Sequence, residues 1–125
     1  MKDSNKIRLF KGSHGYENGE QRRDFIYVKD TIKVKEWFNE NNVSGIYNVG
    51  TGLSRSFNDV ANSVLQYFDT GEIEYIDFPD GLESQYQAFT EANTSHLRSS
   101  GFSDAFTPLE ESVVDYLDWL KAEND

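Results

Sequence analysis

The sequence of 125 residues has no cysteine and only two prolines. The missing thiols exclude disulfides, thiolate metal ligands and cysteine nucleophiles, although they do not fix a compartment. No apolar run approaches the roughly 20 residues that a membrane span needs. The opening residues MKDSNKIRLF also lack the apolar centre of a signal peptide. Basic residues are scarce beyond position 35. Residues 1–35 carry nine Lys/Arg against five Asp/Glu, and the remainder carries three against seventeen, for a net charge of −10. An acidic body of this kind repels nucleic acid and anionic membranes, so neither is an expected partner, whereas a small anion at the basic end is permitted.

What is present is a single-domain length with 37% hydrophobic, 27% charged and 14% aromatic residues. That mixture reads as a soluble globular chain, for which the cytoplasm is the default compartment. Strand and helix signals alternate. DFIYV (24–28) has strand character, and Asp30 is placed to cap a helix through TIKVKEWFNENN. GIYNVGTG (45–52) reads as a buried strand feeding a tight turn. Ser56 caps the clearest helix, with Phe57, Val60, Ala61, Val64, Leu65 and Phe68 on one face. EIEYIDF (72–78) is a strand that ends at Pro79, and EANTSHLRSSGF holds a short helix stopped by Gly101. In TPLEESVVDYLDWL, Thr107, Pro108 and Glu110 spell a capping box ahead of a face of Leu109, Val113, Leu117 and Leu120. This order predicts an α/β architecture with parallel strand neighbours.

Several chemical patterns are incomplete. Gly50 and Gly52 in NVGTGLSR stand where a dinucleotide turn would, but Arg55 occupies the third glycine position, which favours a plain strand-to-helix turn. His14 and His96 have no carboxylates at ligand spacing, so no metal site is expected. No tyrosine is followed four residues later by lysine, so the proton-transfer pair of short-chain dehydrogenases is absent. Two features remain open. Arg22 and Arg23 in GEQRRDFIYVKD can offer a planar fork to phosphate or form a surface pair with Asp24 or Glu20. Tyr86, in the polar stretch SQYQAFTEAN, can stack on a ligand or pack normally.

The order of LFKGS, GEQRRDFIYVKD, GIYNVGTGLSRSFNDVA, EIEYIDFPDGL and YQAFTEANTSHLRSSGF resembles the C-terminal part of the ADP-L-glycero-D-manno-heptose 6-epimerase family of extended short-chain dehydrogenase/reductases. Arg-Asp-Phe and Asn-x-Gly-x-Gly are shared by many nucleotide-sugar epimerases and dehydratases. FPDGLESQYQAFTEA is narrower and points to the heptose epimerases.

The resemblance implies that residues 1–125 are one C-terminal substrate-binding region of a Rossmann-type parent. An N-terminal domain outside this chain would bind NADP, since Met1 begins too late in the family pattern for a complete enzyme. It also implies an NADP-dependent isomerase that interconverts ADP-D-glycero-D-manno-heptose and ADP-L-glycero-D-manno-heptose for lipopolysaccharide core biosynthesis. Because GIYNVG is apolar enough to be buried on both faces while the sheet it would join lies mostly in the N-terminal domain, a homo-oligomer is expected. The chain alone is then expected to be inactive, with no catalytic residue of its own.

By position, Phe10, Lys11, Gly12 and Ser13 match the family's substrate-contacting segment, although Lys11 stands where some members have an acid. Arg23 matches the arginine used on the nucleotide-sugar, and Tyr86 matches a substrate-binding tyrosine. Arg22 matches no functional position and is expected to be a solvated neighbour. The alternatives are the substrate domain of another NAD(P)-dependent nucleotide-sugar epimerase or dehydratase, and a non-catalytic module that binds a nucleotide-sugar or a protein.

Overall fold

The computed structural model describes residues 6–124. Among the described residues, two small sheets and four helices follow one another: β1 (Lys6–Phe10), β2 (Arg22–Arg23), α1 (Val28–Glu40), β3 (Arg55–Ser56), α2 (Phe57–Phe68), β4 (Glu72–Ile76), α3 (Ser95–Ser99) and α4 (Leu109–Asn124), with a 3₁₀ turn at Glu83–Gln85. This is the α/β class that the alternating pattern predicts.

β1 and β4 pair in parallel, from Lys6 opposite Glu72 to Phe10 opposite Ile76. Alternate positions face the same way, so opposite charges meet across the pair: Lys6 with Glu72 at 3.6 Å and Arg8 with Glu74 at 3.2 Å. β2 and β3 are antiparallel, with Arg22 opposite Ser56 and Arg23 opposite Arg55. Ser56 does cap α2. Its hydroxyl accepts from the Asp59 amide, and the Asp59 carboxylate accepts from the Ser56 amide, closing a capping box.

Two strands expected from sequence are not strands. Residues 24–27 and 45–50 run without regular structure, and Ile46 is 92% exposed. β-branched and aromatic composition supplies strand propensity, but a strand also needs a neighbour for its backbone groups. Among the described residues no strand pairs with either segment.

Two capping assignments also change. α1 begins at Val28, with Tyr27 in the cap position and no side-chain cap. Asp30 lies inside the first turn at 1% exposure, where its carboxylate accepts the amide and hydroxyl of Thr107 at 2.8 and 2.9 Å. Thr107 is therefore engaged with α1, and the Glu110 carboxylate goes to Arg55. The Ser112 amide bonds the carbonyl of Pro108, so the helix starts there without the predicted capping box.

The apolar core is Val34, Leu97 and Phe102, flanked by Trp37, Phe38, Tyr47 and Phe106. Gly101 has φ +114°, and a Cβ there would sit 3.3 Å from the Trp37 ring, so this stop brings α3 close to α1. Among the described residues, buried polar side chains (Ser13, Gln21, Asp30, Ser54, Ser56 and Ser63) outnumber the buried apolar ones (Val34, Ala61, Leu97 and Phe102). Much of the interior is thus fastened by hydrogen bonds, and their placement decides where the loops lie.

Candidate functional site

The loop that leaves β1 is folded back on itself. The Lys11 amide extends the ladder to the Ile76 carbonyl at 2.9 Å, and the Gly19 amide returns to the Phe10 carbonyl at 3.2 Å. Between them the Gly12 amide bonds the Asn18 side chain at 2.8 Å, and a Cβ at Gly12 would overlap the Tyr16 carbonyl. Gln21, 1% exposed, donates its amide to the Lys11 carbonyl at 2.9 Å and the Ser13 hydroxyl at 3.3 Å. The four expected contact residues therefore diverge. Phe10 faces its aromatic neighbours, Lys11 pairs with Asp77 at 3.1 Å, Gly12 contributes tight backbone, and Ser13 turns inward to Gln21.

The paired arginines of β2 separate more sharply. Arg22 is not a solvated neighbour: its guanidinium donates to the Ser54 hydroxyl at 3.0 Å and the Ser54 carbonyl at 2.7 Å. Alternation along a strand sends Arg23 to the other face. There its guanidinium lies 4.9 Å from the centre of the Tyr86 ring and 5.5 Å from that of Phe57. One of its donors reaches the Arg22 carbonyl at 3.0 Å. Among the described residues no carboxylate pairs with Arg23. A cation held over two rings, with donors to spare, is prepared for an anionic or polar ligand.

Tyr86 completes the cluster. Its ring meets Phe10 edge-on at 5.5 Å and Phe78 at 5.1 Å, and Phe10 stacks on Phe78 at 4.5 Å. Phe10, Arg23 and Tyr86, expected from distant stretches of sequence, thus come together. Beside them a cavity of about 180 Å³ is lined by Leu9, Phe10, Ile76, Phe57 and Tyr86, with Gln21 among its polar members. Phe57 and Phe78 were not singled out from sequence. Phe57 reads there as part of the buried face of α2, and Phe78 as the end of a strand.

Asp24 binds the surroundings together. One carboxylate oxygen accepts the Thr51 amide at 2.8 Å and the Thr51 hydroxyl at 2.6 Å, and the other accepts the amides of Gly52 at 2.9 Å and Ala92 at 3.0 Å. Burial pushes this carboxyl up, but the Thr51 hydroxyl and the amides of Ala92, Thr51 and Gly52 outweigh it, leaving the group below the usual carboxylate range. The glycines are required by closeness. A Cβ at Gly50 would come within 2.8 Å of the Asp24 carboxylate, and Gly52 has φ +76°. The amides of this turn are spent on an internal carboxylate, so the turn is the plain one that sequence favours and leaves no cradle for a dinucleotide pyrophosphate.

Arg55, at the missing third glycine, clamps α2 to α4 through Asp59 at 3.0 Å and Glu110. Its hydrogen bond to Glu110 raises the guanidinium further and holds the Glu110 carboxyl below its usual range. His14 Nε2 lies 3.1 Å from the Glu83 carbonyl, linking the loop after β1 to the 3₁₀ turn, and His96 packs on Tyr47 at 4.4 Å. Among the described residues no group of His, Asp and Glu could hold a metal ion, and no helix is long and apolar enough to cross a membrane.

No family model matches the chain. Over 119 residues, 94% of its length, it is 49% identical to an ADP-L-glycero-D-manno-heptose-6-epimerase of Alkalilimnicola ehrlichii, covering 37% of that protein. The solved ADP-L-glycero-D-manno-heptose-6-epimerase of Helicobacter pylori matches with a TM-score of 0.75 and 26% identity over 94% of this chain and 33% of that one. A UDP-N-acetylglucosamine 4-epimerase of Methanobrevibacter ruminantium, solved in complex with UDP-N-acetylmuramic acid, matches with a TM-score of 0.76 and 24% identity over 94% and 35%. The chain spans about a third of the length of each of these proteins.

Proposed function

We propose that this chain, a homologue of the C-terminal part of ADP-L-glycero-D-manno-heptose 6-epimerase with the fold of an extended short-chain dehydrogenase/reductase epimerase, is the region that grips the nucleotide-sugar in such an enzyme. The observation that carries the reading is the Arg23 guanidinium lying over Tyr86 and Phe57 with no carboxylate partner among the described residues. An acidic protein that takes up an anionic ADP-sugar needs a local cation of this kind. Phe10 and Tyr86 supply ring faces beside it, and the backbone of residues 10–13 forms the adjoining wall.

The parent reaction under this reading is the interconversion of ADP-D-glycero-D-manno-heptose and ADP-L-glycero-D-manno-heptose, which serves lipopolysaccharide core assembly in the cytoplasm. A nicotinamide dinucleotide, NADP in this family, supplies the redox chemistry. The residues present do not fit it: the one Gly-x-Gly turn has its amides committed to Asp24. Cofactor binding and proton transfer therefore fall to residues outside this chain, which acts as a single substrate-binding region and is inactive alone. Ile46, Leu53 and Phe89, 92%, 64% and 50% exposed, leave apolar surface open, which supports homo-oligomer formation. Light scattering at high micromolar concentration is expected to show self-association, and a strict monomer would contradict it.

Thermal shift of the chain with ADP-heptose, ADP and UDP-glucose tests the reading, because a ligand that binds only the folded form stabilises it once its concentration exceeds the dissociation constant. ADP-heptose and ADP are expected to raise Tm and UDP-glucose to leave it unchanged. Equal stabilisation by UDP-glucose would point instead to another nucleotide-sugar epimerase or dehydratase, and no shift with any of them would overturn the reading.

A further inference from the structure

We propose that Asp24 is the positioning residue of the nucleotide grip: its carboxylate fixes the strap of residues 86–92, which carries Tyr86, against β2, which carries Arg23. The inference rests on the reading of Arg23 and Tyr86 as nucleotide-sugar ligands. The strap has no strand of its own. It touches β2 through a single bridge, with the Arg22 amide bonding Ala88 at 2.7 Å and the Thr90 amide bonding Arg22 at 3.1 Å. So short a ladder specifies register weakly.

Two side-chain ties follow immediately. Asp24 takes the Ala92 amide, and the Glu91 carboxylate accepts the Ser54 amide at 3.0 Å. Only the first joins the strap directly to the residue next to Arg23. The same carboxylate holds the amides of Thr51 and Gly52, so strap, turn and strand meet on one group. The Arg23 guanidinium lies on the Tyr86 ring, and its geometry is inherited from that junction.

A carboxylate suits the position because it accepts at both oxygens, whereas an amide of the same shape would present N–H to two of the donors. Asp24→Asn therefore removes the function while keeping the volume. Asp30 provides a matched control. It is buried and accepts two bonds from Thr107, but it ties α1 to the start of α4 and contacts neither Arg23 nor Tyr86.

The test uses the full chain with Asp24→Asn, Thr51→Val and Asp30→Asn, reading amide hydrogen exchange of the strap and equilibrium binding of ADP. Asp24→Asn is expected to speed exchange at Thr90 and to weaken ADP binding by about ten-fold or more, as for a lost charge-assisted contact. Thr51→Val removes one bond to the same carboxylate and shifts both readouts less, and it carries the test if Asp24→Asn does not fold. Asp30→Asn is expected to lower Tm while leaving strap exchange and ADP affinity as in the unsubstituted chain. Unchanged Thr90 protection in the Asp24 and Thr51 variants would overturn the proposal, and so would a loosened strap with undiminished ADP affinity. If the unsubstituted chain binds no ADP, the nucleotide-sugar reading fails, and the exchange arm alone decides whether Asp24 fixes the strap.

Discussion

The junction at β2 and the contacts between the helices use the same carboxylate chemistry in opposite settings. At β2, the half-buried Asp24 accepts four hydrogen bonds from two segments, the turn at Thr51–Gly52 and the strap at Ala92. On the outer face of α4, the exposed Asp115 meets the exposed Lys29 at 3.0 Å and also the half-buried Tyr27, and the exposed Asp118 meets the half-buried Tyr67 at 2.7 Å. Where water is excluded, a polar bond lost in folding cannot be replaced, so it fixes geometry. Where water competes, the same pair adds little. The site is assembled at the first kind of contact.

The comparison is broken most severely at Asp24. Asp24→Ala leaves four donors without their acceptor and is expected to cost roughly 2 to 4 kcal/mol in denaturant unfolding. The acid limb follows from the same group. Its folded-state value lies below the usual one of about 3.9 for an unfolded aspartate, so its stabilisation is complete above that pH and is lost as pH falls through it toward the lower folded value. Asp59 adds in the same direction: burial raises it, but the Ser56 amide and Arg55 prevail and lower it. Unfolding followed from pH 7 down to pH 2 should therefore show stability falling below about pH 4, less steeply in Asp24→Asn.

Next in size is Arg22→Ala. It removes two bonds donated to Ser54, itself 3% exposed, and is expected to cost roughly 1 to 3 kcal/mol in the same assay. A solvated arginine would have cost nothing. Smallest are Tyr67→Phe and Lys29→Ala on the open face. Neither should shift Tm measurably, and a clear loss in either would erase the contrast between the two regions.

These contrasts also mark what was legible in the sequence. α2 and β4 could be read directly, because the Ser56 to Asp59 cap and the apolar spacing that follows are local signals. The 24–28 and 45–50 segments misled, because strand propensity is local and strand pairing is not. Arg22 and Thr107 misled for the same reason: their partners, Ser54 and Asp30, lie 32 and 77 residues away. Residue chemistry raised Arg23 and Tyr86 as open candidates, and family resemblance selected them and added Phe10; periodicity pointed to none of the three. The structure adds Phe57 and Phe78, whose aromatic character was visible but whose neighbours were not.

The central claim, that Arg23 is a ligand held ready on Tyr86, is tested most directly by equilibrium binding of ADP-heptose to the chain and to its Arg23→Ala and Arg23→Lys variants at low and physiological salt. Arg23→Ala is expected to lose roughly 1.5 to 3 kcal/mol, the range for a hydrogen bond to a charged group, and lysine to restore only part of it because it lacks the planar fork. The loss should persist at about 0.15 M salt, where exposed charges more than about 8 Å apart are largely screened. Undiminished affinity in Arg23→Ala, or a loss that lysine repairs in full and salt abolishes, would contradict the claim.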